Sequence, residues 1–129
     1  MKSSSFLQKA KLISLMKQED CKQNVIKYYE DILCIRSPGN ISTCSGDSGG
    51  GLISQFIDSQ GIRRWFLLGV TSMGPNCTRV VLSNSKENIL MDTNVYYYQN
   101  IIDKVIGTEE NKRKNWKNLI GFHTLEFCL

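Results

Sequence analysis

The chain is almost without histidine: among 129 residues, only His123 carries an imidazole. No two cysteines stand in a C-x-x-C pair. The ligand sets that hold most zinc sites are therefore missing, and neither a metal nor another cofactor is expected. Long apolar runs are missing too. None approaches the roughly 18 residues that cross a bilayer, so a membrane is not an expected partner. The first residues, MKSSSFLQKAKLISLM, place Lys9 and Lys11 where an export signal needs an unbroken apolar core, so no signal peptide is visible. Excess charge of one sign is small, with 16 basic against 12 acidic residues and a net +4. Four of the basic residues, Lys112, Arg113, Lys114 and Lys117, gather in EENKRKNWKN, and basic residues do not alternate with aromatics along the chain. This argues against nucleic acid and for a solvated tail.

The length allows one small domain, of a size often helped by covalent staples. Five cysteines are present, Cys21, Cys34, Cys44, Cys77 and Cys128, which favours disulfides with one thiol left over. Disulfides without an export signal conflict. Either these are cytosolic thiols or the sequence begins short of its true start.

Along the chain, Phe6–Met16 alternates in part (Leu7, Ala10, Leu12, Ser14, Met16) and reads as a half-buried strand, with helix as competitor. KQEDCKQNVIKYYEDI spaces Cys21, Val25 and Tyr28 or Tyr29 as a short helix would, with Glu19 and Asp20 at its front. ILCI reads as a strand and RSPGNIST as a loop. GLISQFI and RRWFLLGVTSM form a predicted hairpin through DSQG. GPNC is a turn, and TRVVL and ENILMDTNV are two further strands. VYYYQNIIDKVI aligns Tyr98, Ile101, Ile102, Val105 and Ile106 on one helical face, ended by Gly107 as a C-cap. The tail beyond shows no clear period. These hairpins with a terminal helix predict an all-β barrel or sandwich.

The densest chemistry lies in TCSGDSGGGL, residues 43–52. Gly46, Gly49 and Gly50 let the backbone turn sharply and let a substrate approach closely. Such a turn would aim the amides of Gly46 and Ser48 at one point as an oxyanion hole, with Ser48 as the attacking hydroxyl. Asp47 would turn inward and need a partner for its charge. By chance, GDSGG in a chain this long is expected on the order of 10⁻⁴ times.

These residues are similar to those of the chymotrypsin-like (trypsin-like) serine proteases, from about Phe6 to Ile106. LQKAKLISLMKQEDCKQ resembles the segment entering the intermediate helix, DILCI a short cysteine-bearing strand, and TCSGDSGGGL the nucleophile loop. FLLGVTSMG resembles one wall of the specificity pocket, and TNVYYYQNIIDKVI the terminal strand and helix. The resemblance implies an incomplete C-terminal β-barrel of the double-barrel fold with a C-terminal α-helix, over residues 6–106. It also implies that residues 107–129 are a tail without family counterpart. Ser48 matches the nucleophile, Gly46 and Ser48 the oxyanion amides, and Asp47 the acid that meets a new ammonium after zymogen cleavage. Ser42 matches the base of the specificity pocket, and Ser72, Met73 and Gly74 the segment that pairs with substrate backbone. Cys21–Cys34 and Cys44–Cys77 match two family disulfides. Gly51, Met73 and Ser54 depart from the usual proline, tryptophan and cysteine. One alignment puts Leu90 at a pocket-wall glycine, and a shifted one puts Asn94 there.

The family's histidine and aspartate precede its serine, yet none of the 47 residues before Ser48 is a histidine. His123 reads as a surface residue of the tail. The expectation is an endopeptidase by descent, secreted by resemblance, and inactive as this chain alone. Its substrate would be a peptide or protein, taken by a complete parent. The alternatives are a non-catalytic homologue that binds a protein partner over the exposed barrel edges, and a piece that does not fold by itself. Asn40 in NIS and Asn76 in NCT fit the N-glycosylation pattern, conditional on secretion.

Overall fold

The computed structural model describes residues 9–11, 14–76, 86–107 and 120–128. Its elements run β1 (Lys9–Lys11), β2 (Ser14–Leu15), α1 (Gln18–Asn24), β3 (Ile32–Pro38), β4 (Gly51–Ile57), β5 (Arg63–Met73) and β6 (Glu87–Asn94). A 3₁₀ turn (Val95–Tyr98), α2 (Gln99–Ile106) and β7 (Ile120–Cys128) follow. The strands form one antiparallel sheet in the order β1-β7-β4-β5-β6-β3-β2.

The hairpin through DSQG forms as expected, with Ile57 opposite Arg63. Gly107 caps α2 at φ 69°. Other expectations hold in part or are corrected. The Phe6–Met16 run contributes two short strands, and they occupy the two edges of the sheet. Helix α1 ends at Asn24, because Val25 already turns to extended backbone (ψ 145°). The Cys21–Cys34 disulfide (Cα–Cα 5.8 Å) holds the helix to β3, and the chain must leave it to reach that strand. A closed loop of this length contributes ~3 kcal/mol. The expected loop RSPGNIST is strand as far as Pro38, since β6 pairs with β3 along its whole length. TRVVL lies outside the described residues.

The tail beyond α2 contains a strand the sequence pattern did not betray. Ile120–Cys128 pairs with β4 on one side and with β1 on the other. Its mixed period gave no two-residue signal, and pairing with β4 supplies the order instead.

One face of the sheet carries a small apolar core, Ile35, Leu52 and Leu90, with Leu15, Leu33, Ile41 and Leu68 packed against it. Each fully buried leucine or isoleucine contributes ~1.5–3 kcal/mol. The same interior holds an unusual share of polar groups: Ser37, Ser54, Thr71, Asn88 and Asp92 are all buried. Ser37 donates to the Ile41 carbonyl, and the Asn88 amide donates to the carbonyls of Gly39 and Ile41. Among the described residues, little covers the apolar face expected of α2. No residue of the helix is buried, and Ile101 and Val105 are 64% and 81% exposed.

Candidate active site

Residues 43–50 enter β4 through a turn shaped by glycine conformation. Gly46 and Gly49 have φ of 102° and 89°. A Cβ at either would meet no atom within 4 Å, so the backbone angle and not lack of space calls for glycine there. The turn is closed by Asp47 N–H to Cys44 O (3.0 Å) and Gly50 N–H to Asp47 O (2.9 Å). It is stitched to β5 by Gly49 N–H to Thr71 O (3.0 Å) and Thr71 N–H to Gly50 O (2.8 Å). The Asp47 carboxylate is half-buried and accepts the Cys44 amide at 2.7 Å. It thus braces its own turn.

Ser48 is exposed and faces a cleft of about 580 Å³. Thr43, Cys44 and Ser45 line it on one side, and Thr71 through Asn76 with Met91 on the other. Among the described residues, neither the Gly46 nor the Ser48 amide donates to a backbone acceptor, so both remain free for a ligand. Ser72, Met73 and Gly74 lie at the cleft together with Ser48. The β5–β6 register shifts between Thr71 and Met73, which lifts Ser72 out of the regular ladder. Its hydroxyl donates to the Met91 carbonyl at 3.2 Å.

Ser42 is not among the lining residues. Its hydroxyl donates to the Thr43 carbonyl, and the neighbouring Thr43 side chain stands behind Gly74. A Cβ at Gly74 would come within 2.9 Å of Thr43 Oγ1 and 3.8 Å of Leu90. Leu90 is fully buried in the core, one layer behind the cleft. Asn94 is elsewhere: its side chain accepts the Tyr96 amide and caps the 3₁₀ turn. Cys44 is disulfide-bonded, whereas Cys77 lies outside the described residues, as does the Cys128 side chain. His123 sits in β7 between Phe122, opposite Phe56, and Thr124, opposite Gln55. At ~3.3 Å per residue, that register is about 13–17 Å along β4 from Gly51. No cluster of three metal-ligating side chains occurs among the described residues. No helix among them is long and apolar enough to cross a membrane.

Asp92, on β6, escaped the sequence reading. It is fully buried, and neither carboxylate oxygen has a hydrogen-bond partner; Thr71 Oγ1, on the facing residue of β5, is also unpartnered. Gly69 makes room for it, since a Cβ there would stand 2.9 Å from Asp92 Cβ. Burial pushes the carboxyl up to about 7. The available signal was an acid at an inward position of a strand whose other inward residues are Asn88 and Leu90.

Comparison with known proteins follows the same residues. The family model described as Trypsin matches residues 2–102. A modular serine protease of Drosophila melanogaster is 30% identical over 86 residues, covering 64% of this chain and 13% of its own length. Transmembrane protease serine 11C of Mus musculus is 42% identical over 69 residues, covering 54% of this chain and 14% of its own length. The chain therefore spans about one seventh of the length of these relatives.

Proposed function

Because the chain belongs to the trypsin family, we propose that Ser48 is the nucleophile of a serine endopeptidase site, with the Gly46 and Ser48 amides as its oxyanion donors. The reading rests on one observation: an exposed serine in a glycine-shaped turn, beside two unspent amides, at a cleft walled by Ser72–Gly74. In this reading Ser48 Oγ attacks a peptide carbonyl, and the oxyanion gains two hydrogen bonds as charge develops. Loss of one such donor costs ~10²–10³ in rate. Asp47 keeps the turn in shape through the Cys44 amide.

A serine hydroxyl stays a weak nucleophile until a base takes its proton. The single histidine of these 129 residues is placed by register well away from Ser48. We therefore assign the 129-residue chain no hydrolytic activity of its own. The histidine and aspartate would come from another part of a longer polypeptide, which would act on peptide bonds in an oxidising, extracellular setting.

A fluorophosphonate probe tests this on two samples, the native product isolated from the cells that make it and the isolated 129-residue chain. Labelling of Ser48 in the native product alone is the expected result. A native product that resists the probe would favour the second reading, a non-catalytic homologue that binds a partner. The exposed Ile101, Val105 and Ile106 of α2 and the groove beside them, lined by Leu33, Phe66, Leu68 and Ile102, are what favour that reading.

A further inference from the structure

We propose that Asn40 carries an N-linked oligosaccharide. Asn40-Ile41-Ser42 has the acceptor pattern, with a middle residue other than proline. The structure adds two independent observations. The first is placement. Asn40 is exposed, and its carboxamide makes no hydrogen bond to any described residue. It occupies the turn after β3, closed by Ile41 N–H to Pro38 O at 2.8 Å. The buried Asn88 amide holds that turn from within through the Gly39 and Ile41 carbonyls, both at 3.1 Å. A glycan there lies outside the residues that line the Ser48 cleft, and it interrupts no strand pairing. Asn76, the other acceptor asparagine, lines the cleft itself.

The second observation is redox state. The Cys21–Cys34 disulfide is formed, and Cys44 is disulfide-bonded as well. Disulfides of this kind form and persist in oxidising compartments. A chain that acquires them passes the compartment in which acceptor asparagines meet a lipid-diphosphate-linked oligosaccharide. In the transfer, Asn40 Nδ2 bonds to the sugar C1 as the C1–O bond to the diphosphate breaks. The diphosphate leaves with the electron pair, and Nδ2 gives up one proton. Nothing is oxidised or reduced. The modification also gives Ser42 a role away from the cleft, as the hydroxyl residue of the acceptor triplet.

The test uses native protein from the cells that make it. Cleavage after arginine and lysine releases Ser37–Arg63, in which Asn40 is the sole asparagine. Treatment with an N-glycan amidase in ¹⁸O-water should convert Asn40 to ¹⁸O-labelled aspartate, and little unmodified peptide should be found before treatment. In cells expressing the full-length protein, Ser42→Thr should keep the label and Ser42→Ala should lose it. Unmodified Asn40 in protein whose Cys21–Cys34 disulfide is intact overturns the proposal. So does a label confined to Asn76.

Discussion

Two Asp-Ser turns sit at the two ends of β4, one spelled GDSGG and the other DSQG. Both need a glycine of positive φ, 89° at Gly49 and 77° at Gly61, and both expose the serine. They differ in how the aspartate is satisfied. Asp58 is saturated locally: its carboxylate accepts the Gln60 and Ile62 amides at 2.9 Å and Arg64 Nε at 2.7 Å. That turn closes on itself and leaves Ser59 exposed, outside the cleft that Ser48 lines. Asp47 takes the Cys44 amide, while the turn around it is stitched across to Thr71 of β5. The stitching sets Ser48 against the end of β5 and makes a cleft. An Asp-Ser turn becomes a candidate site only when a second strand end supplies the facing wall.

The strand that joins the turns offers the harshest way to break the comparison. Leu52 is fully buried at the centre of the core. Leu52→Ala should lower the unfolding free energy by ~2–5 kcal/mol and loosen both turns together, as read by denaturant titration. An effect below 1 kcal/mol would mean that β4 is not the shared support.

The polar interior on the cleft side comes next. The Asp92 carboxyl titrates at about 7 when folded, against 3.8 for the ordinary group. Its raised value means that the folded chain keeps a proton the unfolded chain loses between pH 4 and 7. Asp92 therefore stabilises the fold at low pH, and that contribution is lost as pH rises through 7. At ~1.4 kcal/mol per pKa unit, the loss is a few kcal/mol. Asp92→Asn should flatten this part of the stability curve. An unchanged slope would show that Asp92 is paired or solvated in solution.

Gly49→Ala and Gly61→Ala sharpen the comparison further. Each forces a side chain into the left-handed region, at ~1–2 kcal/mol, so both should lower the melting temperature alike. Probe labelling of Ser48 in the native-length protein should fall only for Gly49→Ala. Equal loss from both would remove the distinction drawn between the turns. The smallest effect is expected at Asp58, which its hydrogen bond from Arg64 holds below the ordinary carboxylate range. A depressed value stabilises the fold above pH 4 and is lost as pH falls further. Asp58→Asn should lower the melting temperature slightly at pH 7 and make the acid arm shallower, without affecting Ser48.

Much of this was legible in the residues. The hairpin through DSQG, the strands GLISQFI and RRWFLLGVTSM, the Gly107 cap and the Ser48 turn all follow from local conformational rules. Glycine tolerates positive φ, β-branched and aromatic residues fit a pleated surface, and short polar segments turn. What was missed depended on partners distant in sequence. Ile120–Cys128 carries no strand signal of its own and is ordered by pairing with β4. Helix α1 stops at Asn24 because Cys21 is tied to β3 and the chain must reach that strand. Ser42 and Thr43 are adjacent in sequence, yet the close approach of Gly74 brings Thr43 to the cleft wall.

The sequence by itself determined the turns, the strand candidates and the serine with its two amides, because those depend on φ, ψ and side-chain shape within a few residues. Only the tertiary structure decided that Ser48 faces a cleft, that Asp92 is buried without a partner, and that α2 shows its apolar face to solvent. Burial and cleft walls come from segments tens of residues apart, whose meeting depends on which strands pair.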